Sequence, residues 1–156
     1  MKKIIITGND KISNLIFIFE DIMKKVDERY EISENSESIT INVNDDSTKT
    51  TYYVIANVDN ELRDIDLDIP LCRFITLGFN KKSSVTISSL GGDMDTSKTL
   101  IYCIQREIDE EEIVIEPQEF PVFVKTSWGH DIYNIMSAVT AVMLIDRSIS
   151  DKLNSM

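Results

Sequence analysis

The chain is 156 residues long and carries 27 acidic against 16 basic side chains, a formal net charge of −11. This length, undivided by any Pro-, Ser- or Gly-rich linker, predicts a single domain over residues 1–156, and a hydrophobic fraction of 42% excludes a disordered chain. The scattered Lys and Arg residues exclude direct DNA or RNA binding, which requires clustered positive charge.

The apolar segments are too short for a membrane or a secretion signal. Ile4–Ile6 is shorter than the apolar core of a signal peptide. The longest apolar run, residues 135–145, is about half of a ~20-residue membrane span. Cys72 and Cys103 lie far apart in apolar surroundings and are expected to be reduced core residues. We therefore expect a soluble, cytoplasmic protein that does not contact a membrane.

A short strand and a helix are predicted at the start of the chain. Ile4–Ile6 is expected to be a buried strand. Residues 10–28 place apolar side chains at the i, i+3, i+4, i+7 spacing of one helical face. Asp10 is the expected N-cap of this helix, and Lys24 and Lys25 fall near its C-terminus, where the helix dipole favours positive charge.

The middle of the chain is predicted to form two β-hairpins. In residues 39–43, Ile and Val alternate with polar residues, and a polar turn separates them from the apolar residues 50–58. Residues 74–79 and 85–90 are similarly separated by an Asn-Lys-Lys-Ser turn. Each pair is expected to form an antiparallel hairpin.

The remaining segments complete an α+β fold. Residues 99–108 would also suit a helix, but their Thr, Ile and Tyr content favours a strand, paired with residues 113–115. Residues 121–124 are expected to add a last strand. Residues 131–153 predict a second helix, apolar nearly all round and hence buried on more than one face. The fold class is therefore α+β: a mainly antiparallel sheet with an N-terminal and a C-terminal helix packed on one side.

A row of three carboxylates is the sharpest local pattern. In an extended chain Asp64, Asp66 and Asp68 would share one face, about 7 Å apart, with apolar side chains on the other. An edge strand that uses charge to resist aggregation explains the row, and Pro70 would end it. A basic protein partner or a divalent metal would also suit three aligned charges.

A second acidic segment lies at residues 107–112. A solvated hairpin turn explains it, and so does a surface that occupies a basic groove on another protein. Its carboxylates are Glu107, Asp109, Glu110, Glu111 and Glu112, followed by Glu116 and Glu119.

Three further features have both a structural and a functional interpretation. Residues 91–98 are expected to be a hairpin loop, because their spacing does not fit a phosphate loop; Asp93 and Asp95 could instead contact a metal. His130, the sole histidine, is expected to cap the second helix rather than act as a general base. Trp128 is either a packing anchor or an exposed interface residue.

The acidic surface and the small set of reactive side chains together predict a binding protein rather than an enzyme. The leading hypothesis is an inhibitor or an immunity or anti-defence protein, bacterial or phage, that docks on a basic protein partner without catalysis, cofactor or metal. The alternatives are a subunit of a homo-oligomeric or phage structural assembly, joined through the helix 131–153, and a carboxylate enzyme that uses a divalent metal. The expected partner-binding residues are Asp64, Asp66, Asp68, Glu107, Asp109, Glu110, Glu111, Glu112 and Trp128.

Overall fold

The computed structural model of the protein describes residues 1–44, 48–57, 73–91, 98–110 and 113–153. Within these ranges the chain forms ten β-strands, two α-helices and two short 3-10 helices. In chain order they are β1 (Lys2–Thr7), α1 (Ile12–Met23), β2 (Tyr30–Glu34), β3 (Ser38–Val43), β4 (Thr51–Asn57), β5 (Arg73–Leu77), β6 (Val85–Gly91), β7 (Lys98–Ile104), β8 (Ile108–Glu110), β9 (Ile113–Ile115), β10 (Gln118–Val124), a 3-10 helix (Thr126–Trp128), α2 (Ile132–Ile145) and a second 3-10 helix (Arg147–Asp151).

Eight of these strands form one mixed sheet in the order β10-β7-β6-β5-β4-β1-β3-β2, while β8 and β9 form a separate hairpin. Four of the seven described strand pairs in the sheet are antiparallel. The strands β6, β5, β4 and β1 run parallel at its centre. The two helices pack against each other, and α2 also contacts β4, β5 and β6. The predicted α+β class is confirmed, and the sheet differs from the prediction in that its centre is parallel.

Both hairpins predicted in the middle of the chain are wrong. β1 lies between β3 and β4, so that Ile4 pairs with Ile41 on one side and with Tyr53 on the other. β5 and β6 run parallel and meet at one register pair, Leu77 with Val85. A short polar connection favours a hairpin, but β3 and β4 are not neighbours, and β5 and β6 are neighbours that run in the same direction.

The strand predictions in the second half are mostly confirmed. The ambiguous residues 99–108 begin as a strand, β7, and β10 contains residues 121–124. Ile108 pairs with Ile115 in the β8–β9 hairpin. The partners of β7 itself are β6 and β10. β2 had no predicted counterpart, because Ile32 is its one aliphatic residue and a single apolar position gives no periodicity.

The hydrophobic core lies between the helices and one face of the sheet. Alternate strand residues are buried there, among them Ile4, Ile6, Ile41, Tyr53, Ile55, Leu77 and Tyr102. Leu15, Phe19 and Ile22 of α1 meet them at helical spacing. Burying each of these side chains contributes about 1.5–3 kcal/mol.

The helix α1 is shorter than predicted at both ends. Its N-cap is Lys11, which makes no side-chain capping bond, so Asp10 is not the cap. The helix ends at Met23, so Lys24 and Lys25 lie beyond its last turn.

The helix α2 ends at Ile145 rather than at residue 153. Asp146 has an extended backbone (φ −144°), and its carboxylate accepts from the Ser148 backbone N at 3.0 Å, which starts the second 3-10 helix. Every residue from Asn134 to Leu144 is buried by the chain itself. The apolar surface that suggested a subunit contact is therefore explained by packing against α1 and the sheet.

Candidate functional site

Only part of the predicted acidic surface lies within the described residues. The residues outside them are Asp64, Asp66, Asp68, Asp93, Asp95, Glu111 and Glu112. Asp109 and Glu110 are residues of β8. Glu107, immediately before this strand, is described and exposed.

The β8–β9 hairpin is anchored in the core by one cross-strand pair. Ile108 and Ile115 are register partners, and both are buried. The next pair is Asp109 with Val114, whose side chain is 38% exposed. Because side chains alternate between the two faces of a strand, the hairpin buries one face and presents Val114 to solvent on the other. A buried apolar pair therefore holds the acidic segment in place.

A cavity of about 210 Å³ lies beside this hairpin and combines charged with apolar groups. Phe74, 57% exposed, contributes an aromatic ring to it. The guanidinium of Arg73 lies 5.8 Å from the centre of the Tyr53 ring. The cavity is lined by Arg73, Phe74, Ile75, Ser84, Glu107 and Ile108. We call this cavity and the β8–β9 hairpin the hairpin surface.

Hydrogen bonds fix the chain that leads into the hairpin surface. The backbone N of Gln105 donates to Ser84 O at 2.8 Å, and its side-chain amide donates to Ser83 O at 2.9 Å. The Thr76 hydroxyl accepts from the Ser84 backbone N at 2.8 Å. These bonds tie the end of β7 to the connection between β5 and β6, so the hairpin surface is held between ordered elements.

Trp128 is a packing anchor and not an exposed interface residue. Its side chain is 3% exposed, and its indole N donates to the Asp21 carboxylate at 2.8 Å. Lys125 pairs with the same carboxylate at 2.9 Å. The lone Trp therefore joins α1 to the segment before α2, which removes it from the predicted partner surface.

Asp21 is held ionised by these neighbours. Burial raises its pKa, but the hydrogen bond from Trp128 and the charges of Lys125 and Lys24 outweigh burial and leave the pKa below its ordinary value of 3.8. A lowered folded pKa stabilises the protein above the unfolded value, and that stabilisation is lost as the pH falls through the folded pKa.

We therefore expect Asp21→Asn to lower the free energy of unfolding by about 1 kcal/mol at neutral pH. The difference from the wild type should shrink as the pH falls below about 4. Urea denaturation over this pH range measures it, with the exposed Asp27→Asn as the control. A difference that does not vary with pH would exclude an ionised Asp21 as the cause.

A cluster of amide side chains joins the N-termini of the two helices. Asn9, which follows β1, donates to Asn134 Oδ1 at 2.7 Å and to Ser137 Oγ at 3.0 Å. Asn134 donates to Lys11 O at 3.1 Å and to Asn14 Oδ1 at 2.9 Å. Asn134 and Ser137 are fully buried.

This amide cluster lies at the carboxyl end of β1, an edge where parallel sheets often carry binding sites. Its members are neutral amides and a hydroxyl that hydrogen-bond to one another, and such groups do not titrate near neutral pH. The cluster therefore fastens α1 to α2. Apolar periodicity did not predict this cluster, although two polar residues inside an apolar helix, Asn134 and Ser137, are a usable signal.

His130 is not the N-cap of α2, and Cys103 is only partly buried. His130 is exposed, and the capping bond of α2 comes from Asp131, whose carboxylate accepts from the Asn134 backbone N at 3.2 Å. Cys103 on β7 is a free, partly buried thiol that donates to Glu119 at 3.8 Å. Burial and the Glu119 carboxylate raise the pKa of this thiol, which favours its unreactive protonated form.

The described residues contain neither a metal-binding cluster nor a membrane-spanning helix. They contain no group of three or more His, Cys, Asp or Glu side chains placed to hold a metal ion. None of their helices is long and apolar enough to cross a membrane.

Comparison of the chain with protein-family models, with curated proteins and with solved structures found no match.

Proposed function

We propose that this protein is a small acidic binding module that docks on a basic protein partner without catalysis, as an inhibitor or an immunity or anti-defence protein does. The hairpin surface carries the proposal, because two exposed residues line its cavity: Glu107, immediately before the anchored hairpin, and Phe74 of β5. Interfaces commonly have this composition: aromatic anchors supply affinity, and charges direct the approach.

The net charge of −11 supports the same proposal. A large negative field attracts a basic partner over about a Debye length, roughly 8 Å at physiological salt, and raises the association rate. Asp21, whose pKa is lowered, and Asp131, which caps α2, stabilise the fold. Glu107 and Glu116, which directly precede β8 and follow β9, are exposed and remain for a partner.

A charge-matched pair of triple variants tests this proposal on the partner obtained by affinity capture from the source cells. Glu107→Gln/Glu110→Gln/Glu112→Gln removes three of the five negative charges of residues 107–112, and Asp10→Asn/Asp27→Asn/Asp151→Asn removes the same charge elsewhere. We expect the hairpin variant to weaken binding about tenfold or more, mainly through slower association, and the control about threefold or less. Affinity should also fall steeply between about 0.05 M and about 0.3 M NaCl.

Two results would contradict the proposal. One is a partner with neutral or acidic net charge. The other is an affinity that neither falls with salt nor differs between the two variants, because electrostatic docking at the hairpin surface predicts both effects. Circular dichroism and urea denaturation of each variant show whether it is folded before binding is measured.

A further inference from the structure

We propose that the groove between β2 and α1 binds an extended segment of the basic partner, which adds a strand to the free edge of the sheet. This inference rests on the proposed function, because it takes the partner to be a basic protein. It assigns a second contact area, distinct from the hairpin surface, which we call the β2–α1 groove.

The first observation is that β2 is an edge strand among the described residues. It is the last strand in the sheet order, and among the described strands only β3 pairs with it. The β2–β3 hairpin closes with a hydrogen bond from Asn35 N to Ser38 O at 3.0 Å. Hydrogen-bonded and non-bonded pairs alternate along an antiparallel ladder, so Tyr30, Ile32 and Glu34 direct their backbone N–H and C=O groups away from β3. An added strand requires donors and acceptors in this arrangement.

The second observation is a cavity along the same edge. It has a volume of about 470 Å³, and one wall is rigid because the Tyr30 ring packs edge-on against Phe19 at a centroid distance of 5.2 Å. The cavity is lined by Tyr30, Ile32 and Glu34 of β2 and by Ile16 and Glu20 of α1. The three strand residues whose backbone groups face outward therefore also line the groove.

The third observation is the chemistry of the lining. Ile16 and Ile32 are half-buried, while Glu20 and Glu34 are exposed. Burial, and then the Glu20 carboxylate, raise the pKa of Tyr30, as expected in a negative environment. Every second side chain of an added strand would enter the groove, about 7 Å apart. An aliphatic side chain opposite Ile32 with Lys or Arg two positions to either side would complement this lining.

A pair of synthetic peptides tests the mode of binding. The probe is acetylated, amidated Thr-Lys-Thr-Ile-Thr-Lys-Thr, which places Ile and both Lys on one face of an extended chain. The control, Thr-Thr-Lys-Ile-Lys-Thr-Thr, has the same composition but places Ile and Lys on opposite faces. We expect the probe to bind about fivefold or more tightly than the control and to slow amide exchange at Tyr30, Ile32 and Glu34.

Charge-reversal variants test the location. Glu20→Lys/Glu34→Lys reverses the charge of two side chains that line the groove. Glu31→Lys/Glu37→Lys makes the same change in charge on the opposite face of β2 and in the adjoining turn. We expect the groove variant to weaken binding of the probe about tenfold or more, and the control about twofold or less. Equal affinity for the two peptides, equal effects of the two variants, or no slowing of exchange at the outward amides would each overturn the inference.

The two proposals fail in different ways. If the captured partner depends on the hairpin surface, while the groove variant binds it normally and the peptide leaves the β2 amides unprotected, then the groove inference is wrong and the proposed function stands. If the captured partner is neutral or acidic, the proposed function is wrong. Slowed exchange of the β2 amides would then show only that this edge binds the peptide.

Discussion

Replacing Asn134 by Ala is expected to lower the free energy of unfolding by about 3 kcal/mol. The Asn134 amide accepts from Asn9 and donates to Lys11 O and to Asn14, all within 3.1 Å. Asn134 is fully buried and its partners Asn9 and Asn14 are half-buried, so removing its side chain takes three hydrogen bonds at once from the start of both helices. A buried donor or acceptor without a partner costs about 1–3 kcal/mol, so losing several bonds at once should exceed the effect of one.

Two matched variants separate hydrogen bonding from volume. Asn134→Leu keeps the size of the side chain, and we expect it to be about as unstable as Asn134→Ala, because an aliphatic group restores none of the hydrogen bonds. Ser137→Ala removes one arm of the cluster and should cost about 1 kcal/mol. Urea denaturation gives these free energies. Full recovery of stability in Asn134→Leu would show that the amide cluster only fills space.

Gly8→Ala is expected to lower the free energy of unfolding by about 3 kcal/mol for two separate reasons. Gly8 has φ +89°, where a side chain strains the backbone by about 1–3 kcal/mol. An added Cβ would also lie 3.1 Å from both the Cβ and the carbonyl O of Asn57. Because the carbonyl belongs to the backbone, relief requires β1 and β4 to move apart at their carboxyl ends.

Gly129→Ala is the control, since it carries the backbone strain without the crowding. Gly129 has φ +77°, and an added Cβ there would meet its nearest atom, Asn14 Nδ2, at 3.9 Å. We expect a loss of about 2 kcal/mol. Faster amide exchange at the carboxyl end of β4 should accompany Gly8→Ala and be absent from Gly129→Ala. A stable Gly8→Ala variant with unchanged exchange would contradict the close approach.

The sequence predicted which segments form elements better than it predicted their neighbours. Apolar periodicity located both helices and most strands, because burial of a repeating face is a local property of the chain. The position of β1 between β3 and β4 depends on pairings of Ile4 with residues tens of positions away. A polar turn says nothing about a distant strand that inserts between β3 and β4, or about the parallel direction of β5 and β6, so both predicted hairpins were wrong.

The role of Trp128 was decided by a tertiary contact, whereas the end of α2 is a local feature. The Asp146 carboxylate accepts from the Ser148 backbone N, two residues later, and so starts the next turn. Trp128 is buried, and its indole N donates to Asp21 on α1. In sequence Trp128 was consistent with a packing or an interface role, and only its partner across the fold distinguishes them.

The candidate site followed the same division. The acidic segment beginning at Glu107 was visible as a run of charge, and a hairpin was expected there. Its anchoring by Ile108 and Ile115, and the cavity beside it that Phe74 lines, arise only when distant strands assemble. The groove at β2 was not anticipated, since a free edge is a property of sheet order.

Composition and periodicity alone determined that this chain is a strongly acidic α+β domain with two apolar helices. Composition is a sum over the chain and periodicity is a local repeat, so neither depends on any long-range contact. The tertiary structure decided how the strands are ordered, and therefore where the amide cluster, the hairpin surface and the free edge of β2 lie. Strand order is set by non-local pairing and packing, whose energies depend on residues that are close in space and distant in the chain.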